Sequence, residues 1–186
     1  MTYNLDWVLA EKASEKPLKY LLFWGHQPER DGSVGKGCFS QWWPSVFSID
    51  GIDYATAEHW MMAEKARLFN DEAIRDRILM AKTPGEAKKL GRQVRGFDAN
   101  TWQAACFDLV VAGNFHKFGQ HDELKTYLLG TNSQVLVEAS PVDPIWGIGL
   151  AQDDPNALDP NCWKGTNLLG FALMTIRDML KQNTGS

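Results

Sequence analysis

The stretch TAEHWMMAEKARLF, residues 56–69, decides the fold. Thr56 belongs to the residue types that cap helix N-termini, and the apolar residues after it recur with a helical period. The stretch therefore predicts a helix that runs through Phe69. At about 100° per residue, Glu58 and Lys65 lie on the apolar stripe with Met62 and Phe69. The opposite, solvent-facing side is expected to carry Trp60, Glu64 and Arg67.

Two ionisable residues on an apolar stripe require an explanation. Burying an unpaired charge costs several kcal/mol, so Glu58 and Lys65 belong either to a structural ion network or to an active site. In an active site, desolvation would lower the pKa of Lys65 and make its amine a nucleophile, with Glu58 as general acid and base. A nearby carboxylate would act in the opposite direction, so no net shift is predicted. Their separation of about 10 Å along the helix suits two residues that line one pocket.

The composition is that of one ordinary globular domain. The chain has 186 residues and a net charge of -4, with no apolar run of membrane-spanning length. The N-terminus has no secretory signal, which predicts a cytoplasmic protein without a membrane partner. The three cysteines are far apart and show no metal-ligand spacing, so we expect reduced thiols, no metal and no cofactor.

The segments before the central helix predict a small amount of β-structure. Residues 1–18 read as an N-terminal arm with a short helix from Leu5 to Lys12, and residues 19–182 as the main domain. Tyr20 to Trp24 is a compact apolar run. Residues 46–49 and 52–54 flank Asp50-Gly51, which is a two-residue hairpin signal. The glycine-rich segment 31–38 reads as a mobile loop.

The segments after the central helix predict mostly helices. They are expected at 71–82, at 84–94 behind a capping box, at 100–118 or 101–118, at 122–129 and at 167–181. A short strand is predicted at 134–139, followed by a long loop at 140–163. The fold class is therefore mainly α: a single compact multihelical domain with a small N-terminal β-hairpin or sheet.

Two features favour a nucleotide-like ligand. If residues 84–95 are helical, Lys88, Arg92 and Arg95 share one face, with Lys82 and Lys89 nearby. That face is either a local phosphate-binding patch or a solvated surface. The chain also has eight tryptophans, and flat aromatic side chains are suited to stacking on bases.

Two later segments contain further candidates. In the loop 138–149, Asp143 and Trp146 could hold a sugar and a base, although such a loop is also typical of a packed turn. At the start of the last helix, Lys164 and the helix N-terminus could bind a phosphate. Asn167 could equally be a plain N-cap.

An ordered series of motifs resembles the NADAR (YbiA-like) family from about Tyr20 to Leu180. One departure concerns residues 39–42, which read Phe-Ser-Gln-Trp where many members have Phe-Ser-Asn-Phe. This departure changes an amide and an aromatic side chain. The motifs are Phe39-Ser40-Gln41-Trp42, Ala57-Glu58-His59 with Lys65, Lys88-x-x-Gly91-Arg92, Lys117-Phe118, Asp143-x-x-Trp146-Gly and Asn167-Leu-Leu-Gly170.

The resemblance implies a mainly helical N-glycosidase that hydrolyses a ribose C1–N bond. The implied substrates are ADP-ribose attached to guanine, or a phosphoribosylaminopyrimidine intermediate of riboflavin synthesis. The implied mechanism is covalent: the Lys65 amine attacks C1, the base leaves, and water releases the sugar from a Schiff base, with Glu58 as the catalytic carboxylate. The matched substrate-binding residues are Trp102, Asp143 and Trp146.

Two alternatives stay open at this point. One is a non-catalytic module that binds ADP-ribose or a related nucleotide; the other is an assembly protein whose aromatic residues form an interface. The expected partner is a nucleotide-like small molecule or ADP-ribosylated guanine, either free or within nucleic acid, and the expected state is a monomer or weak oligomer. The full set of substrate-binding candidates is Trp102, Asp143, Trp146, Arg92, Lys164, Asn167, Phe23 and Gly25.

Overall fold

The computed structural model describes residues 3–14 and 17–183, and within them the protein is mainly α-helical. The chain forms two compact units: unit 1 contains residues 1–40 and 123–186, and unit 2 contains residues 41–122. The helices are α1 (Leu5–Ala13), α2 (Ala57–Leu68), α3 (Glu72–Leu79), α4 (Pro84–Gly91), α5 (Ala99–Gly119), α6 (Asp122–Gly130) and α7 (Leu168–Asn183), and the strands are β1 (Tyr20–Phe23), β2 (Phe47–Ile49), β3 (Ile52–Tyr54) and β4 (Val135–Glu138).

Helix α2 lies at the centre of unit 2, packed against α3, α4 and α5. It begins as predicted, with the Thr56 side chain accepting a hydrogen bond from the His59 amide. The predicted solvent-facing side is wrong in part, because Trp60 and Glu64 are buried and only Arg67 is exposed. Three neighbouring helices enclose α2 on all sides over its first eight residues, so a simple two-sided helix model does not apply.

The hairpin of unit 2 forms as the sequence predicts. Strands β2 and β3 pair in antiparallel fashion, with Phe47 opposite Tyr54 and Ile49 opposite Ile52. Asp50 and Gly51 adopt φ angles of 52° and 79°, the left-handed conformation that a tight two-residue hairpin turn requires.

The predicted basic helix face is wrong. Helix α4 ends at Gly91 rather than near residue 94, and Arg92 is its C-cap. A Cβ atom at Gly91 would overlap the Met62 side chain, so glycine allows α4 to pack directly on α2. Arg95 lies beyond the helix, where its guanidinium donates to Asp71 at 2.7 and 3.0 Å. The cations therefore do not form one continuous helical row. Helix α3 also ends before the predicted Lys82, at Leu79.

Unit 1 is built on two parallel strands. Strand β1 pairs with β4 in a register that places Tyr20 opposite Val135 and Phe23 opposite Glu138. Helix α7 packs on β4, and a Cβ atom at Gly170 would overlap the Leu136 carbonyl oxygen. The predicted inward row of α7 is confirmed, since all four of its members are buried: Leu169, Leu173, Ile176 and Leu180.

The segment before β1 also belongs to unit 1. The predicted short helix is confirmed as α1, whose Val8 is fully buried and whose Lys12 pairs with Asp159. The predicted mobile loop 31–38 is wrong at its C-terminal end, because a 3-10 helix at Lys36–Phe39 buries Gly37 and Cys38. No helix among residues 3–14 and 17–183 has the length and apolar character needed to cross a membrane.

Asp71 provides a test of how unit 2 is held together. Its carboxylate caps α3 and accepts from the Arg95 side chain and amide, and these hydrogen bonds hold the pKa of Asp71 well below its usual range. A lowered folded pKa stabilises the protein above the ordinary carboxyl pKa. That stabilisation is lost as the pH falls through this value toward the lowered one.

We therefore expect Asp71→Asn to lower the melting temperature at neutral pH, with the difference from the unmodified protein shrinking in acid. Thermal unfolding followed by circular dichroism across the acidic range measures this. Asp76→Asn is the matched control, because the Asp76 carboxylate is exposed and lies 3.2 Å from the guanidinium of the neighbouring Arg75. An equal and pH-independent effect of both substitutions would contradict the role of Asp71.

Candidate functional site

The amine of Lys65 lies among aromatic rings in unit 2. Lys65 stands in the last turn of α2, and its Nζ atom is 4.2 Å from the Phe97 ring centroid and 5.7 Å from the Trp102 ring centroid. Phe97 belongs to the loop between α4 and α5, and Trp102 to the first turns of α5. Three separate segments thus converge on one amine, and two of the predicted residues, Lys65 and Trp102, come together.

The surroundings make the amine of Lys65 easier to deprotonate. Burial lowers the pKa of Lys65 because the charged form loses hydration, and the positive charge of Arg92 lowers this pKa further. Arg92, also predicted as a site residue, is exposed at the C-terminal end of α4. Aromatic faces act in the opposite direction, since they attract an ammonium more than a neutral amine.

Glu58 lies in the first turn of the same helix and is 5% exposed. Its amide donates to the Gln41 carbonyl oxygen at 3.0 Å. The Gln41 side chain in turn accepts from Asn114 Nδ2 at 2.7 Å, and Asn114 also donates to the Val110 carbonyl oxygen at 2.9 Å. These bonds connect the backbone of Glu58 to helix α5.

The first turn of α2 has a second anchor at His59, which is buried. One ring nitrogen of His59 lies 2.8 Å from Thr56 Oγ1 and the other lies 3.1 Å from the Ala81 carbonyl oxygen. Burial lowers the pKa of His59, so a neutral ring that accepts from Thr56 and donates to Ala81 fits both contacts. His59 therefore ties α2 to the end of α3.

The remaining candidates lie in unit 1, near the carboxyl ends of its two parallel strands. The Ala139 amide donates to the Phe23 carbonyl oxygen at 2.9 Å, and the Ile148 amide donates to the Glu138 carbonyl oxygen at 2.9 Å. The loop after β4 therefore returns to the strand end where Phe23 and Gly25 lie. Gly25 is exposed with a φ of 81°, whereas the Phe23 ring is buried against Phe39.

Asp143 organises the loop that contains Trp146. Its Oδ1 atom accepts from the Ile145 amide at 3.0 Å and from the Trp146 amide at 2.8 Å. One oxygen of the Asp143 carboxylate therefore stabilises the turn, in agreement with the packed-turn interpretation of this loop. Trp146 is half-buried, and its carbonyl oxygen accepts from the Leu169 amide at 3.1 Å.

Asn167 serves the sheet of unit 1. Its side chain accepts from the Glu138 amide and donates to the Leu136 carbonyl oxygen, each at 2.9 Å, so it satisfies one edge of β4. These two bonds direct the Asn167 side chain to β4, and its φ of 53° is left-handed, whereas the backbone of an N-cap residue is usually extended. Lys164 is exposed close to this turn.

The N-terminus of α7 differs from the expected phosphate site. The amides of Leu168 and Leu169 donate to the carbonyl oxygens of Ile145 and Trp146 at 3.3 and 3.1 Å. A helix N-terminus attracts an anion through its unbonded amides, and two of these are already bonded to the loop. The loop therefore occupies much of the predicted anion position.

The comparisons with known proteins agree with this architecture. Residues 22–181 match the family model described as the NADAR domain. The chain belongs to the NADAR domain family.

Two curated members of the NADAR family are similar to this chain over most of their length. N-glycosidase R617 of Acanthamoeba polyphaga mimivirus is 40% identical over 169 residues, which cover 88% of this chain and 98% of the relative. N-glycosidase YbiA of Escherichia coli K12 is 32% identical over 138 residues, which cover 74% and 76% of the two chains. The NMR structure of E. coli YbiA aligns with a TM-score of 0.72 at 27% identity, covering 91% of this chain and 89% of that one. The predicted family and the mainly helical fold class are confirmed.

Sequence reasoning missed two features of this candidate site. Phe97, the aromatic residue nearest to the Lys65 amine, stands outside every helical pattern and follows Gly96 in a short loop. The buried amide pair of Gln41 and Asn114 joins residues 73 positions apart. In the sequence, the one indication of this pair was that Gln41 lies in a family motif.

The influence of Arg92 on Lys65 can be measured directly. Arg92→Gln removes a positive charge that disfavours the ammonium, so the pKa of Lys65 should rise. The rate of acetylation of Lys65 by acetic anhydride, followed by peptide mass spectrometry across pH, should then have its midpoint at higher pH. Lys89→Gln removes a charge from an exposed position on the same helix and should leave the midpoint in place. Equal midpoints in all three proteins would rule out the proposed electrostatic coupling.

Asn167→Asp tests the structural role of Asn167. A carboxylate cannot donate to the Leu136 carbonyl oxygen, and the side chain is fully buried, so we expect a loss of about 2–4 kcal/mol in the free energy of unfolding. Urea unfolding measures this. Asn132→Asp is the matched control, since Asn132 has a similar φ of 52° but is exposed. A loss at Asn167 no larger than that at Asn132 would contradict the role.

Proposed function

We propose that this NADAR family member, an N-glycosidase, hydrolyses a ribose C1–N bond by covalent catalysis through Lys65. The substrate would be ADP-ribose attached to guanine or a phosphoribosylaminopyrimidine, which share that bond. The observation that carries the proposal is the partly desolvated Lys65 amine, with its lowered pKa, beside the rings of Phe97 and Trp102. A free amine is a nucleophile, and flat rings suit a substrate that contains a base.

The first step forms one bond and breaks another. The lone pair of Lys65 Nζ bonds to C1 of the ribose, and the C1–N bond breaks with its electron pair on the base. The departing nitrogen takes a proton from an acid, for which Glu58 is the candidate. The immediate products are the free base and a sugar attached to Lys65.

The second stage releases the sugar. Nζ loses a proton, the C1–O bond of the ribose ring opens, and the ring oxygen takes up a proton, which leaves an imine between C1 and Nζ. Water adds to C1, and the adduct collapses to the free sugar and the lysine amine. One water is consumed in total, as hydrolysis requires.

The anchoring of Glu58 supports its candidacy for proton transfer. Glu58 and Lys65 lie on the same helix, about 10 Å apart along its axis, and the turn that holds Glu58 is anchored by Gln41 and His59. A fixed backbone limits the directions that the carboxylate can take, and general acid catalysis depends on such positioning.

The candidates in unit 1 remain predictions for ligand binding. Trp146 is half-buried, Lys164 and Gly25 are exposed, and Asp143 has a second carboxylate oxygen that none of its turn hydrogen bonds uses. Asn167 and Phe23 would contribute by supporting the sheet on which this cluster is built.

The Trp146→Ala variant distinguishes binding from packing. If Trp146 binds the ligand, the substitution should mainly raise KM. If Trp146 serves packing, the substitution should mainly lower the melting temperature.

Borohydride trapping tests the covalent step. If an imine forms, borohydride added during turnover of ADP-ribosylated guanosine or the phosphoribosylaminopyrimidine should reduce it to a permanent adduct on Lys65. Trapping should increase with pH until the amine has titrated, because only the free amine attacks. Mass spectrometry of peptides locates the adduct, and released base measures turnover.

Lys65→Arg keeps the positive charge and much of the volume but removes the nucleophile, so turnover should fall by at least about a hundredfold. Lys88→Arg is the matched control, since the Lys88 amine also lies over a tryptophan, 6.0 Å from the Trp42 ring centroid. Turnover that survives Lys65→Arg would end the covalent mechanism. Absence of turnover in the unmodified protein, with both substrates bound, would favour the non-catalytic binding module.

A further inference from the structure

Phe97 combines an exposed ring with a contact to the Lys65 amine. Phe97 is 46% exposed, yet its ring centroid lies 4.2 Å from Nζ. The ring also makes an edge-on contact with Phe69, at 5.3 Å between centroids. The preceding residue, Gly96, has a φ of 68°, which turns the chain at this point.

We propose that Phe97 is a ligand-contacting residue that covers the Lys65 amine and exchanges this contact for the planar base of the ligand. The expected ligand class is a heteroaromatic base attached to ribose. The ligand part of this inference depends on the function proposed above, whereas the covering of Lys65 does not.

The ring of Phe97 closes one approach to the Lys65 amine. A carbon that is about to be attacked lies about 3–3.5 Å from the nucleophile, and a ring centred at 4.2 Å occupies that space on one side of Nζ. Trp102, at 5.7 Å, leaves more room. Phe97 is therefore closer to the Lys65 amine than Trp102 is, and its half-exposed ring can move into the solvent.

The chemistry gives the exchange a direction. The face of a phenyl ring attracts the ammonium form of lysine, so Phe97 favours the resting, protonated amine. An arriving base offers the ring a stacking partner in place of the ammonium. Binding of the substrate therefore removes a contact that stabilised the charged form of Lys65.

Chemical labelling of the unliganded protein tests the covering. We would measure acetylation of Lys65 by acetic anhydride across pH and compare the pH at which the rate reaches half of its limit at high pH. A ring face that stabilises the ammonium keeps the amine protonated to a higher pH. Phe97→Ala should therefore move this midpoint to lower pH, through an increase of about three- to tenfold in the acid dissociation constant, the effect of a cation–π contact of ordinary strength.

Two further variants separate the ring from its bulk. Phe97→Tyr keeps the ring face and should label like the unmodified protein, whereas Phe97→Leu keeps bulk without the face and should label like Phe97→Ala. The exposed Lys89 serves as an internal reference within each sample. An unchanged midpoint in Phe97→Ala would overturn the covering of the ammonium, and a Leu variant with the midpoint of the unmodified protein would overturn the part played by the ring face.

Steady-state turnover tests the exchange with the base. Phe97→Ala should raise KM for ADP-ribosylated guanosine by about tenfold, which is the loss of one stacking contact, with a smaller effect on kcat. An unchanged KM would overturn the ligand contact. Labelling needs no turnover, so a failure of the glycosidase proposal would leave the labelling result intact and the two failures can be told apart.

Discussion

The enclosure of helix α2 is the constraint on which unit 2 depends. Packing against α3, α4 and α5 removes water from nearly every side of this helix, although it carries a histidine, two glutamates and a lysine. Each polar group must then find a partner or bear the cost of desolvation. The Glu58 amide, the His59 ring and the Glu64 carboxylate all have hydrogen-bond partners, in Gln41, Thr56 with Ala81, and Arg67. The cost of desolvation appears as a lowered pKa at two positions, the buried His59 and Lys65 near the end of the helix.

In unit 1 the constraint concerns the sheet formed by β1 and β4. The backbone groups at its two edges need hydrogen-bond partners. A strand edge with unpaired amides and carbonyls is unstable when buried. The Asn167 side chain supplies both a donor and an acceptor to β4 and so imitates a neighbouring strand. This use explains its left-handed backbone, because asparagine tolerates that conformation better than most residues. The loop with Asp143 and Trp146 is fixed by the same turn.

Local patterns in the sequence predicted most of the secondary structure. Thr56, the Asp50-Gly51 turn and the row of α7 act through neighbours in the chain, so their signals survive without tertiary context. What failed was tertiary in origin. The burial of Trp60 depends on helices that are distant in sequence, and the end of α4 depends on the contact of Gly91 with Met62. The helical pattern predicted Lys65 as a site residue, and Trp102 was predicted only through the family resemblance. Phe97 was missed because it becomes relevant only once α2 and the loop before α5 meet.

Opposing influences act on the charge state of Lys65. Desolvation and the guanidinium of Arg92 favour the free amine, whereas the ring faces of Phe97 and Trp102 favour the ammonium. A fully buried lysine would be deprotonated at neutral pH whether or not a ligand is bound, and a fully exposed one would be protonated. An amine held between these limits can respond to what binds beside it. A planar base that displaces a ring removes an influence favouring the ammonium, so the ligand itself would shift Lys65 toward the nucleophilic form.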